Sequence, residues 1–335
     1  MKRPGRTRRA WRWLAPLLAV ACRPEPAEPE DARAEAVADQ SRDVEDEAEA
    51  DPGRESESGV GDIAPDDGTD DRCERVAERL RSLPMADLLV AEGGRGSLSV
   101  PGAHDAGLRL TWSVDAGTVD PSEGWEVTVD APATRADVHV TVVIEATSCR
   151  STAALLLRVR SAAEVDEMRG CLSETLTWPA GVLPFARVES ALIDDRFAVV
   201  LCLGPDVRAG TEYLPVSMRV RNVGPDVEGV VEARPSCEFE VRFEGIPPPR
   251  NLGICDGLAV ECDPPFGTET WSSGATRASG NFYPRFGMDE YSCGVLETFV
   301  EGAGDYVASG VYHGRLADGT PLVSDPLAIP FRVLP

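Results

Sequence analysis

From residue 108 onward, apolar and polar positions alternate with a period of two. Leu108, Leu110, Trp112 and Val114 alternate with Arg109, Thr111 and Ser113, and Trp125, Val127 and Val129 with Glu126 and Thr128. Val138, Val140, Val142 and Ile144 follow, then Ala153, Leu155, Leu157 and Val159. Between these runs stand turn-forming stretches, Asp115-Ala116-Gly117, Pro121-Ser122-Glu123-Gly124 and Ala131-Pro132. Short alternating runs bounded by turn residues predict antiparallel strands with one face buried. Ahead of them the period lengthens. Val76, Leu80 and Leu83 lie on one helical stripe, with Asp70 or Asp71 as N-cap and Pro84 as terminator.

Ser161–Gly170 is polar and predicts a short connection, after which the two-residue period returns. Phe197, Val199, Leu201 and Leu203 alternate with Ala198, Val200 and Cys202, and Leu214, Val216, Met218 and Val220 with Pro215, Ser217, Arg219 and Arg221. Cys237, Phe239, Val241 and Phe243 form another run. Tyr306, Val307, Val311, Tyr312 and Leu316 predict a hairpin before Asp318-Gly319, and Ile329, Phe331 and Val333 a last strand.

Two segments of this pattern resemble known families. Leu110-Thr111-Trp112-Ser113-Val114, Gly117-Thr118-Val119, Val127-Thr128-Val129-Asp130-Ala131-Pro132 and Val138-His139-Val140-Thr141-Val142 are similar to bacterial Ig-like repeats of the PKD-like kind. That resemblance implies a strand-borne tryptophan in the core, and a fold rather than a chemistry. Val220-Arg221-Asn222-Val223-Gly224, the Cys237–Phe243 run, Trp271-Ser272-Ser273 and Gly304-Asp305-Tyr306 resemble Ig-like domains of the BsuPI proteinase-inhibitor type. The expected fold class is all-β: two Ig-like antiparallel β-sandwich domains, residues 72–165 with a short N-terminal helix and 171–335 with long cysteine-containing loops. A signal peptide (1–21) and a disordered acidic tether (22–71) precede them.

The leader carries Lys2, Arg3, Arg6, Arg8, Arg9 and Arg12 ahead of an uncharged core from Trp13 to Ala21, well short of the ~20 residues that span a bilayer. It reads as a secretory signal. Leu18-Ala19-Val20-Ala21-Cys22 resembles the lipobox of bacterial lipoproteins, which implies lipidation of Cys22, a membrane partner through the N-terminal lipid, and a place in the cell envelope, on an outer membrane facing periplasm or cell surface. Plain cleavage before Cys22, giving a secreted protein, stays open. Thr7-Arg8-Arg9-Ala10-Trp11 resembles a twin-arginine signal. That route exports proteins already folded in a compartment that discourages disulfides, so the cysteine count argues against it.

Charge then narrows the function. The chain has 57 acidic and 33 basic residues, a formal net charge of −24, and residues 23–71 hold 19 acidic against 4 basic groups. Such a chain repels nucleic-acid phosphates, so nucleic acid is excluded as a partner. The tether has no aromatic residue and too little apolar area to offset chain entropy. Lys2 is the only lysine, so once the leader is removed none remains for Schiff-base chemistry or Lys–Asn isopeptide links.

Nine cysteines stand at 22, 73, 149, 171, 202, 237, 255, 262 and 293. With Cys22 lipidated, eight remain for bridges in an oxidising compartment, and Cys255 with Cys262 is a candidate local disulfide. No Cys-x-x-Cys occurs and only His104, His139 and His313 could join cysteines as ligands, so neither metal nor cofactor is expected. No nucleophile elbow, zincin motif, phosphate loop or dinucleotide fingerprint is present, and the chain is expected not to be an enzyme. The acid pairs Asp194-Asp195 and Asp289-Glu290 do not make a dyad, because adjacent strand residues point to opposite faces.

Residues 245–295 are rich in Pro, Gly and aromatics. Trp271, Phe282, Tyr283, Phe286 and Tyr291 are candidate binding-loop residues for a protein or glycan ligand of unassigned identity. The competing reading has these rings covering the end of the core. The expected function is a non-catalytic binding or structural module, with an extracytoplasmic protease inhibitor or an enzyme using the 245–295 loops as the alternative. A deep polar pocket joining His313 with carboxylates would favour the enzyme.

Overall fold

Among the described residues strands are the predominant regular element, and two short α-helices stand at points where the period-two pattern lapses. The computed structural model describes residues 71–231, 238–246, 250–252, 267–292 and 296–335. The leader, the tether, Cys22, Cys255 and Cys262 lie outside the described residues.

The first half runs α1 (Arg72–Arg81), a 3-10 turn (Met85–Leu88), β1 (Leu89–Ala91), β2 (Arg95–Ser99), β3 (Arg109–Val114), β4 (Thr118–Asp120), β5 (Glu126–Asp130), β6 (Ala136–Glu145) and β7 (Arg150–Arg160). One sheet has the order β1-β7-β6-β3 and faces a second, β2-β5-β4. Their inward positions alternate as the sequence predicts: Leu110, Trp112, Val127, Val129, Val138, Val140, Val142, Ile144, Leu155 and Leu157 share one buried cluster. Trp112 is in that core, and its indole N–H donates to the Gly124 carbonyl at 2.8 Å, so the buried ring leaves no polar atom unsatisfied. Gly117 turns β3 into β4 at φ +81, where an added Cβ would sit 2.2 Å from the Asp130 carbonyl oxygen. Only glycine fits.

Helix α1 lays Cys73, Val76, Ala77 and Leu80 against this sheet, and a disulfide joins Cys73 to Cys149 in the β6–β7 turn. Asp71 occupies the N-cap but makes no side-chain cap; its carboxylate pairs with Arg75 one turn on.

The segment expected as a polar connection is instead a second helix, α2 (Ala162–Leu172). Its start is a capping box. The Glu164 N–H donates to Ser161 Oγ, and the Ser161 N–H donates to the Glu164 carboxylate. The single helix of the sequence reading is thereby corrected to two.

The second half contains β8 (Arg187–Ile193), β9 (Phe197–Leu203), β10 (Val207–Arg208), β11 (Val216–Asn222), β12 (Val227–Val231), β13 (Phe239–Glu244), β14 (Arg250–Asn251), β15 (Gly267–Trp271), β16 (Thr276–Phe282), β17 (Gly304–Arg315), β18 (Pro321–Val323) and β19 (Leu327–Leu334). Sheet β16-β11-β9-β8 faces sheet β10-β19-β17-β13-β14; β18 pairs with β17, and β12 with β15. Phe197, Val199, Leu201, Val216, Met218, Phe239, Val241, Phe243, Tyr312 and Phe331 fill the space between.

Strand β9 is buried at every position. One face looks into that core; the other, Val200 and Cys202, packs under α2 with Val165, Met168 and Cys171. This explains why Phe-Ala-Val-Val-Leu-Cys-Leu is continuously apolar rather than alternating. Leu89 of β1 belongs to the same small cluster, so α2 is wedged between the two sheet pairs, and a disulfide joins Cys171 to Cys202.

Charged groups complete the joint. Arg135 pairs with Glu164, whose side chain is fully buried, and also donates to the Ser190 carbonyl. Ser190 Oγ donates to the same carboxylate at 2.9 Å. Arg158 pairs with Glu189, Arg160 with Asp137 at 2.7 Å, and Arg169 donates to the Leu89 carbonyl at 2.8 Å. The described residues all fall within one compact unit.

Candidate functional site

The aromatics expected to form a binding loop are spread through and around the second core. Phe286 is fully buried, ringed by Phe243, Phe299, Tyr306 and Phe331 at centroid distances of 5.2–5.7 Å. Trp271 is 3% exposed, packs on Phe197 at 4.9 Å and carries the Arg277 guanidinium over its ring at 4.3 Å. Tyr283 is buried, with Trp178 edge-on at 5.7 Å, while Phe282 and Tyr291 are partly buried against the same cluster. Rings so placed gain more from leaving water than from waiting for a ligand. They cover the core, and Trp271 and Phe286 present no face to a macromolecule. The indole N–H of Trp271 is satisfied by the Ala275 carbonyl at 2.9 Å.

The three histidines lie on different elements, His104 in the 101–108 loop, His139 on β6 and His313 on β17. His139 is exposed on β6, as its alternation predicts. His313 sits half-exposed on β17 with Nε2 3.1 Å from Glu240, whose carboxylate also pairs with Arg242. Burial and the Arg242 guanidinium hold the imidazole below its ordinary 6.5, so it meets Glu240 neutral at pH 7. This is a sheet-surface hydrogen bond, not a deep polar pocket. Asp194 and Asp195 both have positive φ (51° and 54°) and form the tip of the β8–β9 hairpin, closed by the Arg196 N–H on the Ile193 carbonyl at 2.9 Å. Their adjacency serves a turn. Among the described residues no three His, Cys, Asp or Glu side chains are grouped to hold a metal ion. No described helix is long and apolar enough to cross a membrane.

Among the described residues four surface clefts can be compared, and their charge balance separates them. An open cleft of about 620 Å³ lies over β13, β17 and β19. Its arginines are matched from within: Arg187 on Asp206 at 2.5 Å, and Arg332 on Asp305 at 2.8 Å. Burial raises the Asp206 pKa, but the Arg332 backbone N–H and the Arg187 guanidinium outweigh it, leaving the carboxyl below its ordinary value. Tyr306, stacked on Phe331 at 5.6 Å in its floor, is pushed up by burial and by Glu301. A second cleft of about 580 Å³ at the joint sets Arg135 among Glu92, Glu189, Asp195 and Asp325. In a third, of about 510 Å³, Arg219 pairs with Glu174.

The fourth has the opposite sign. Among the described residues, a notch of about 420 Å³ between α1 and the 101–108 loop is lined by Arg72, Arg75 and Arg79 with one carboxylate, Asp105. His104 stacks on Trp125 at 4.9 Å and 16° to form its wall. The sequence reading placed His104 in a turn and did not single out the arginines. Their spacing, residues 72, 75 and 79, was the available signal, since it puts all three on one helical face.

No family model matches the chain, and no curated protein matches it. Among solved structures it is similar to a chimeric titin Z1Z2 functionalized with a KLER exogenous peptide from decorin, at 11% identity over 73% of this chain and 90% of that one, with a TM-score of 0.16. A likeness that loose leaves the fold to be read from the sheets themselves.

Proposed function

We propose that this chain is an exported envelope protein, anchored through a lipid on Cys22, whose two Ig-like sandwiches act as a rigid, non-catalytic binding and structural module. The observation that carries the reading is the α2 joint. A buried helix, a buried ion pair and the Cys171–Cys202 bridge lock two sheet pairs together, a construction suited to holding surfaces in fixed relation. Two disulfides, one from α1 to the β6–β7 turn and one from α2 to β9, favour an oxidising compartment, which agrees with a leader that directs export. The acidic tether then holds the folded part away from an anionic membrane surface.

An inhibitor or enzyme acting through residues 245–295 gains no support from Trp271, Tyr283 and Phe286, which are spent on the core. Fractionation of cells producing the wild type and Cys22→Ser tests the anchor. The wild type is expected with membranes and in the detergent phase, and the variant soluble with its disulfides intact. Equal distribution of the two would overturn the anchor.

A further inference from the structure

We infer that the notch between α1 and the 101–108 loop is a binding site for a carboxylate-bearing sugar. The inference deepens the binding-module reading and rests on it. In a chain with 57 acidic and 33 basic residues, a surface hollow lined among the described residues by three arginines and one aspartate runs against composition. The other three clefts hold at least as many carboxylates as guanidinium groups.

Ion pairing within the fold accounts for two of the three arginines and leaves Arg79. Arg72, Arg75 and Arg79 lie on one helical face, where like charges repel by a few tenths of a kcal/mol per pair. Arg72 reaches Asp105 at 3.4 Å, Arg75 is held by Asp71 at the helix start, and the Asp105 carboxylate also accepts the Gly107 N–H at 2.9 Å. Arg79 has no anionic partner among the described residues. Its guanidinium lies over Gly102, at φ +94, where an added Cβ would stand 3.1 Å from Nη1. Glycine therefore leaves room for a charged fork facing the hollow.

Such a fork suits a planar carboxylate, which accepts two parallel N–H bonds. The His104–Trp125 stack beside it offers a flat, weakly polar wall with its outer ring exposed, matching the C–H face of a pyranose. A volume of about 420 Å³ admits one or two sugar units. The net charge of −24 repels long polyanions, so the fitting ligand is a short acidic oligosaccharide.

The test titrates the purified full-length mature protein with trigalacturonate, its fully methyl-esterified form and inorganic phosphate. The acid trimer is expected to bind at least tenfold more tightly than the neutral ester or phosphate. Arg79→Gln, at an exposed position without a described ion pair, is expected to weaken acid binding tenfold or more. His104→Ala is expected to weaken it several-fold, with the thermal midpoint of both variants unchanged. Equal affinity for acid and ester, phosphate binding as tight as the trimer's, or an Arg79→Gln variant that binds like wild type would each overturn the site, as would no binding at millimolar trimer. Membrane fractionation reads separately: a chain that stays with membranes and ignores the trimer loses the site but keeps the anchor.

Discussion

At the scale of single residues, the chemistry of this protein is mostly neutralised where it stands. Glu164 has no exposed side-chain surface, yet Arg135, Ser190 Oγ and the Ser161 N–H satisfy it, so a buried charge becomes a fixed point of the joint. His313 shows the same economy with a measurable consequence. Its folded pKa lies below 6.5 because burial and Arg242 disfavour the charged ring. As pH falls through about 6.5 the unfolded chain takes up that proton first, so stability present at neutral pH declines on acidification and is unaffected above. The group is half-exposed and the effect small. An NMR titration of the His313 ring is expected to give a midpoint below 6.5, and a midpoint above it would mean that Glu240 rather than Arg242 dominates the imidazole.

At the scale of elements, the strands were legible because their burial obeys a period of two, and β3, β5, β6, β7, β11, β13 and β19 run where the alternation places them. Helix α1 was equally plain from Val76, Leu80 and Pro84. Helix α2 was hidden because its hydrophobic residues do not form one stripe: it is covered on several sides, burying Val165, Met168, Cys171 and even Glu164 and Glu167. Its capping box, Ser161 and Glu164, was the readable signal. The aromatics were ambiguous for a physical reason. A ring in a Pro- and Gly-rich stretch is as consistent with closing a core as with docking a partner, and only the tertiary contacts of Trp271 and Phe286 decide. Because α2 is held to β9 by Cys171–Cys202 across a 31-residue separation, the double substitution Cys171→Ser/Cys202→Ser is expected to cost about 3–4 kcal/mol by loop-closure entropy. Urea unfolding measures it. A loss below about 1 kcal/mol would show that packing and the Arg135–Glu164 pair already fix the helix.

At the scale of the whole molecule, the features reinforce one another. Under the proposed reading, an apolar, basic-fronted leader and an acidic tether would export this body and hold it out from a surface, and the Cys73–Cys149 and Cys171–Cys202 bridges would form in an oxidising compartment. The arginine notch on α1 sits at the start of that body, directly after residue 70. Its positive character stands out against the three other described clefts, each of which holds at least as many carboxylates as guanidinium groups.

The most direct test of the account is intact-mass and peptide mapping of the protein from membranes, with free thiols alkylated before reduction. The expected product begins at Cys22 with its amino group and thiol acylated, and yields the linked peptides Cys73–Cys149 and Cys171–Cys202. A cytoplasmic product that retains Met1–Ala21 and is alkylated at all four of those cysteines would contradict it.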